Sequence, residues 1–332
     1  MHDGFWRDRL VAVTGGAGFI GRRLVARLVA EGACVRVVGR YTSDGETDVR
    51  RRLDPACAER VDVALLDIAD ARAVRAALGG TDTVFHLAAL IGIPYSYIAP
   101  ASYVSTNVLG TLAVLEAARD VGIRRLVHTS TSEVYGTART TPITEEHPLQ
   151  GQSPYSASKI AADKLAESYF RSFGLPIVTL RPFNTFGPGQ SPRAVIPTIL
   201  RQLLGGCTEL RIGSLSPRRD LTYVDDTVAG FLAAGRVEGL EGDVIHLGTG
   251  TSPSVGELVE LCMEIVGRRP AVRVDPERVR PAASEVELLL ADPSKAGARL
   301  GWSATVTIRD GIERTAESLR GIDLSAAQRY AR

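Results

Sequence analysis

A short apolar run, Arg9 to Thr14, ends at Gly15-Gly16-Ala17-Gly18-Phe19-Ile20-Gly21, and a helical pattern then runs to about Glu31, with Gly32 as its C-cap. This junction restricts the chain more than any other stretch. Both Gly16-x-Gly18-x-x-Gly21 and Gly15-x-x-Gly18-x-x-Gly21 let backbone N–H groups at a helix N-terminus approach a pyrophosphate. Glycines at this spacing are uninformative by themselves. Their place, straight after a strand and opening a helix, is what makes them a dinucleotide fingerprint.

The same rhythm continues. Strands are expected at Cys34–Val38, Val61–Leu66, Thr83–Leu87, Arg125–Ser130 and Pro176–Leu180. Between them fall helices at Ala69–Leu78, at Tyr103–Asp120 and from Ser153-Pro154 to about Phe173. Alternation at this spacing indicates βαβ units and an α/β fold built on a doubly wound parallel Rossmann sheet. After Arg181 the pattern loosens, with Pro182, Pro188, Pro192 and Pro197 in a loop-rich stretch. Helices are expected at Val195–Leu204, Asp225–Ala234, Val255–Val266, Ser294–Leu300 and Ile308–Leu319, and Asp243–Leu247 reads as a strand returning to the main sheet. The expected division is a dinucleotide-binding domain of residues 1–182 plus about 225–252, and a smaller α/β substrate domain of about 183–224 plus 253–332. The tail from Asp323 is expected to fray.

The chain has 332 residues, 45% hydrophobic and 23% charged, with a net charge of +1. That balance gives no general attraction to nucleic acid or to an acidic membrane. Cys34, Cys57, Cys207 and Cys262 are scattered and no Cys/His cluster has metal-ligand spacing, so neither a metal site nor a disulfide framework is indicated. The first residues carry no apolar signal region and no run is long enough to span a bilayer, so a cytoplasmic enzyme is expected.

Chemistry enters with Tyr155 and Lys159, which at i and i+4 share one helix face. An unperturbed phenol, with a pKa of about 10, is a poor base at neutral pH, and a nearby cation favours phenolate. The acidic residue that meets the ribose in many dinucleotide folds belongs at the end of the second strand, where this chain has Gly39-Arg40. An arginine there can accommodate a 2′-phosphate, so the sequence leans from NAD towards NADP. Asp67-Ile68, after the third strand, can meet the adenine; Asp67 could equally cap the next helix.

The chain resembles the extended short-chain dehydrogenase/reductase group of nucleotide-sugar epimerases and dehydratases. The resemblance rests on Thr14 to Gly21, Asp67-Ile68, His86-Leu87-Ala88-Ala89 and Asn107-Val108-Leu109-Gly110-Thr111. It continues in Thr129-Ser130-Thr131-Ser132-Glu133-Val134-Tyr135-Gly136, Tyr155-x-x-x-Lys159, Arg181 to Pro188, Arg219 to Asp226 and Arg280 to Val286. Within the group it looks most like the 4,6-dehydratases of legionaminic-acid-pathway type, which act on nucleotide-linked N-acetylglucosamine, with GDP-mannose 4,6-dehydratases as close relatives at the active site.

The resemblance implies a transient oxidation at sugar C4 by bound NAD or NADP. Gly15, Gly18, Phe19, Ile20, Gly21, Arg40, Asp67, Ile68, Leu87, Ala88, Ala89 and Asn107 would bind the cofactor together with Tyr155 and Lys159. Tyr155 would take the C4 hydroxyl proton, Lys159 would keep the phenol acidic, and Thr131 would hydrogen-bond the same oxygen. Glu133 would be the base for C5. Ser132 departs from dTDP-glucose 4,6-dehydratases, which carry an aspartic acid there to protonate the leaving hydroxyl. Asn184, Arg193, Arg219, Arg280 and Glu285 would hold the nucleoside-diphosphate sugar. His86 is expected to be structural or to contact the cofactor. UDP-glucuronate decarboxylases share the Thr-Ser-Glu-Val-Tyr-Gly stretch, so a UDP-glucuronate decarboxylase or 4-epimerase is the alternative. Family members commonly form homodimers through a four-helix bundle, here the helices near 103–120 and 154–173.

Overall fold

The structure, a computed structural model, describes residues 4–278 and 286–321. Arg280, Glu285 and the tail from Asp323 lie outside the described residues. Seven strands form one sheet: β1 (Leu10–Thr14), β2 (Cys34–Gly39), β3 (Val61–Leu65), β4 (Thr83–His86), β5 (Arg125–Thr129), β6 (Ile177–Pro182) and β7 (Val244–Leu247). Their order is 3-2-1-4-5-6-7, and every neighbouring pair is parallel. Strand order reverses between β1 and β4. The glycine turn after β1 and the Leu87–Leu90 segment after β4 therefore open into one crevice, where open α/β sheets bind their ligands.

Both faces of the sheet are covered, because successive strand residues point to opposite sides. The principal covering helices are α1 (Phe19–Ala30), α2 (Ala71–Leu78), α3 (Gly110–Val121), α4 (Pro154–Phe173) and α5 (Val224–Arg236). Val11, Val13, Phe85, Val127 and Val178 pack with Leu24 and Leu28 of α1 and Phe231 of α5. Ala12, Val84, Leu126 and Ile177 pack the other way, against Val74 of α2, Leu115 of α3 and Ala166 of α4. A one-residue slip in any strand would exchange the two sets.

Helix α4 begins where the sequence indicates. The Ser153 side chain accepts from the Ser156 N–H, the Ser156 hydroxyl accepts from the Ser153 N–H in return, Pro154 sits in the first turn, and Gly174 ends the helix in a left-handed conformation. Such a cap stabilises a helix by about 1 kcal/mol. The stretch read as one helix from Tyr103 to Asp120 differs. A short helix at Pro100–Tyr103 passes into a π-helical turn, Val104–Leu109, before α3 begins. One extra residue per turn leaves the apolar spacing nearly intact, so periodicity could not reveal it, and π turns of this kind are frequent at functional sites. This one carries Asn107.

Beyond β6 the chain builds three short parallel strand pairs: Asn184–Phe186 with Leu221–Tyr223, Glu209–Ile212 with Ala271–Val274, and Arg218–Arg219 with Leu288–Leu289. The helices Val195–Leu204, Val255–Val266 and Ile308–Leu319 supply Ile199, Leu258 and Ile312 to a separate core with Phe186 and Leu221. Strands this short show no period-2 signal, which is why only the helices were legible.

His246 on β7 is buried, and Tyr135 donates its hydroxyl proton to His246 Nε2 at 2.5 Å. Burial first, then the Arg181 charge, push the His246 pKa from the ordinary 6.5 to about 3. The unfolded chain therefore binds a proton here that the folded chain refuses. The stability contributed is full above pH 6.5 and is lost as pH falls towards about 3. Urea unfolding should show stability falling with acid by up to ~1.4 kcal/mol per pH unit from this group, and His246→Gln should flatten that dependence.

Candidate active site

The dinucleotide end is shaped by close backbone approach. Gly15 has φ +70°, and a Cβ there would stand 2.9 Å from the Ala88 nitrogen. A Cβ on Gly21 would lie 2.3 Å from the Gly15 carbonyl oxygen. Gly18 is the N-cap of α1, where no side chain hydrogen-bonds the first-turn N–H groups. Those donors and the positive end of the helix are therefore left by the chain for an anion, which is what a dinucleotide pyrophosphate supplies. Phe19 and Ile20 open α1 and are half-buried. On the β4 side, the Ala88 N–H donates to Thr14 Oγ1 at 3.1 Å, and Thr14 Oγ1 lies 2.8 Å from His86 Nδ1. His86 Nε2 lies 3.1 Å from Thr111 Oγ1, which donates to the Asn107 carbonyl at 2.6 Å. The one orientation that satisfies this chain has Thr14 donating to Nδ1 and Nε2–H donating to Thr111. Burial first, and the nearby Lys159 charge, hold His86 well below the usual histidine range, so it is neutral and structural. Leu87, Ala88 and Ala89 line the crevice half-buried.

Arg40 is exposed just past β2. Asp67 is exposed and accepts from the Ala69 N–H at 3.0 Å, forming a local turn, while Asp70 caps α2 through Ala73. The helix therefore starts at Ala71, two residues beyond the expected Ala69, and its cap is Asp70 in place of Asp67. Ile68 is buried and needs Gly110, because a Cβ there would lie 2.7 Å from Ile68 Cδ1.

Thr131, Glu133, Tyr155 and Lys159 come together. Thr131 N-caps the 3-10 turn Ser132–Tyr135 by accepting from the Glu133 N–H at 3.2 Å. That fixes the Glu133 backbone beside Thr131, whose side chain stands close to the Tyr155 phenol. The Tyr155 ring stands edge-on to Tyr103 with centroids 6.2 Å apart. Asn107 braces the helix start: its Oδ1 accepts from the Leu90 N–H at 2.8 Å, and its Nδ2 donates to the Leu90 carbonyl and to Ser158 Oγ. Ser158 Oγ in turn donates to the Tyr155 carbonyl at 2.7 Å.

The phenol is not acidified as the pair suggested. Burial pushes Tyr155 above the ordinary tyrosine range; the Thr131 hydroxyl opposes this and the Glu133 charge adds to it. Lys159 Nζ donates to the Thr129 carbonyl at 2.6 Å, and burial lowers its pKa to about 8 against the favourable charge of Asp163. Sharing a helix face brought the two groups into one buried site, where desolvation raises the phenol and lowers the ammonium.

A buried polar cluster behind Lys159 escaped the sequence reading. Asp163 accepts from His128 Nε2, from Ser130 Oγ and from two Arg181 nitrogens, at 2.7–3.2 Å. Arg181 also donates to the Tyr135 hydroxyl at 2.7 Å. One signal was available: Asp163 follows Lys159 by the same i, i+4 step that links Lys159 to Tyr155.

On the substrate side, the parallel pairing of Asn184–Phe186 with Leu221–Tyr223 brings Asn184 beside Asp220, whose carbonyl accepts from the Asn184 N–H at 3.0 Å. Among the described residues Asn184 Nδ2 is buried without a hydrogen-bond partner, a donor that a ligand oxygen would satisfy. Arg219 is half-buried on its short strand, and Arg193 is exposed ahead of the helix that begins at Val195.

A GDP-mannose 4,6 dehydratase profile matches residues 12–315. The chain belongs to that family. It is similar to a dTDP-glucose 4,6-dehydratase of Actinoplanes sp., with 34% identity over 92% of this chain and 96% of the relative. It is equally similar to a UDP-glucose 4-epimerase of Mycolicibacterium smegmatis, with 34% identity over 93% of this chain and 97% of the relative. The solved dTDP-glucose 4,6-dehydratase of Streptomyces venezuelae with NAD bound superposes with a TM-score of 0.84 and 33% identity over 94% of this chain and 97% of that one. For this family member, Gly15→Ala should weaken NAD binding at least tenfold in calorimetric titration, because the new methyl meets Ala88 in a left-handed backbone. It should also lower stability by about 1–2 kcal/mol.

Proposed function

We propose that this family member is a nucleotide-sugar 4,6-dehydratase, converting a nucleoside-diphosphate hexose to its 4-keto-6-deoxy form. The observation that carries this is the meeting of two different acid–base groups at one site: the Tyr155 phenol and the Glu133 carboxylate, whose backbone is held by the Thr131 cap. The glycine turn, the uncapped α1 N-terminus, Ala88, Lys159 and the Asn107-braced crevice fit a nicotinamide dinucleotide. When bound, that cofactor supplies a hydride acceptor for sugar C4, a hydride donor for C6 and a positive charge beside the phenol.

The protein's own residues then handle protons and position. Tyr155, ionised to its phenolate once that positive charge stands beside it, takes the proton of the C4 hydroxyl, and Thr131 fixes the oxygen. A ketone at C4 acidifies the C5 proton, which Glu133 removes, and water leaves from C6. Ser132 is buried, so proton delivery to the departing hydroxyl falls to Glu133 or another group. Acid–base groups of this kind contribute about 10²–10⁴-fold each. Asn184 and Arg219 hold the sugar diphosphate, with Arg193, Arg280 and Glu285 as further contacts from the sequence; guanidinium suits phosphate by charge and geometry.

We also read residues 1–182 plus about 225–252 as the cofactor domain, a division supported by the pairing of β7 with β6. The exposed Arg40, with no acidic residue at the β2 end, supports NADP alongside NAD. Val104, Leu109 and Phe173 are exposed apolar residues on the helices named for a dimer bundle, which supports a homodimer. Among the described residues no helix is long and apolar enough to cross a membrane, in keeping with a cytoplasmic enzyme.

A panel of sugar nucleotides incubated in D₂O and read by mass spectrometry tests the reaction. Dehydration removes one water and leaves one non-exchanging deuterium at C5. Unchanged mass would make the protein a 4-epimerase, and loss of CO₂ from UDP-glucuronate a decarboxylase. Tyr155→Phe should abolish turnover of the accepted substrate while cofactor binding persists.

A further inference from the structure

Lys159 is buried and, among the described residues, has a single hydrogen-bond acceptor, the Thr129 carbonyl, which carries no full charge to balance the ammonium. One helical turn further along the same face of α4 stands Asp163, equally buried. Four donor contacts hold the Asp163 carboxylate in place, from His128 and Ser130 on and after β5 and from Arg181 on β6. His128 is neutral: burial lowers its pKa, and among the described residues its Nδ1 has no hydrogen-bond partner. Among the described residues the cations acting on the carboxylate are Arg181, which divides itself between Asp163 and the Tyr135 hydroxyl, and Lys159, one helical turn away.

We propose that Asp163 is a positioning residue, the fixed counter-ion that keeps Lys159 charged beside the Tyr155 phenol. The inference rests on the reading of Tyr155 and Lys159 given above. Its electrostatics follow from the surrounding charges. Lys159 is acted on by Asp163 from its own helix, while His86 on β4 and His128 on β5 are neutral neighbours. Tyr155 is raised by burial and by the Glu133 and Asp163 charges. Removing the Asp163 charge thus lowers both partners together: the ammonium loses its counter-ion, and the phenolate loses a repelling neighbour. A residue that merely supported the fold would reduce activity without moving both groups in one direction.

The chain contains only three lysines, Lys159, Lys164 and Lys295, so ¹³Cε-lysine NMR of the full-length protein without cofactor or substrate resolves Lys159. The wild-type signal should titrate near pH 8. In Asp163→Asn it should titrate lower by about one pH unit or more, a tenfold or greater loss of charged lysine at a given pH above the midpoint. With the substrate identified above, both limbs of the kcat/KM–pH profile should move to lower pH in the same variant. An unmoved Lys159 signal overturns the proposal, and so does a moved signal with both limbs unshifted. If Asp163→Asn does not fold, Ser130→Ala keeps the test: freeing the carboxylate of one donor should raise the Lys159 midpoint by a few tenths of a unit, and an unchanged or lowered midpoint overturns the proposal. The cofactor-free titration stands whichever sugar nucleotide is turned over, so its failure is separate from failure of the dehydratase reading.

Discussion

Burying an ammonium and a carboxylate inside an α/β sheet is the constraint on which the site depends. Tyr155, Lys159 and Asp163 occupy successive turns of one face of α4, and all three are buried: Tyr155 against Ile93 and Tyr103, Lys159 on β5, and Asp163 between β5 and β6. Desolvation of such ions costs several kcal/mol each, and breaking a buried pair by removing one partner typically costs 3–5 kcal/mol. The fold meets that cost with directed hydrogen bonds. Thr129 receives the ammonium, and Ser130, His128 and Arg181 surround the carboxylate. The groups that titrate are thereby held by groups that do not, and the π turn at Asn107 fixes the start of α4 through Ser158.

The second constraint is backbone proximity at the switch point of the sheet. Gly15, Gly21 and Ala88 approach one another so closely that side chains are excluded from the cofactor end. Chemistry is supplied by a different layer, the residues after β5 and the first turn of α4. This separation lets one scaffold serve dehydratases and epimerases alike, as the equal similarity to both kinds of relative illustrates. On the reading proposed above, the reaction is selected after β5, where Glu133 stands beside Thr131.

The large elements were legible in the sequence because they carry periodic signals. The seven-stranded sheet, α1 with its glycine turn, and α4 with its Ser153 cap all follow from local pattern. Tyr155 and Lys159 were legible as a pair, and so were Thr131 and Glu133 through motif resemblance. The direction of the Tyr155 shift was not, because desolvation is set by Tyr103, Ile93 and Leu90, which are remote in sequence from Tyr155. Likewise the Asp163 cluster needs β5, β6 and α4 side by side before His128 and Arg181 can be seen to share one carboxylate. Asp67 shows the reverse case: its place suggested a cap for the next helix, and Asp70 caps α2 while Asp67 forms a local turn.

The central claim is that a carboxylate after β5 removes the C5 proton once C4 is a ketone. The most direct measurement is the rate of deuterium incorporation at C5 by Glu133→Gln in D₂O, set against wild type on the same sugar nucleotide and with cofactor affinity measured in parallel. The account predicts that incorporation and water loss fall together by about 10²–10⁴-fold with cofactor affinity unchanged. Incorporation at the wild-type rate would contradict it.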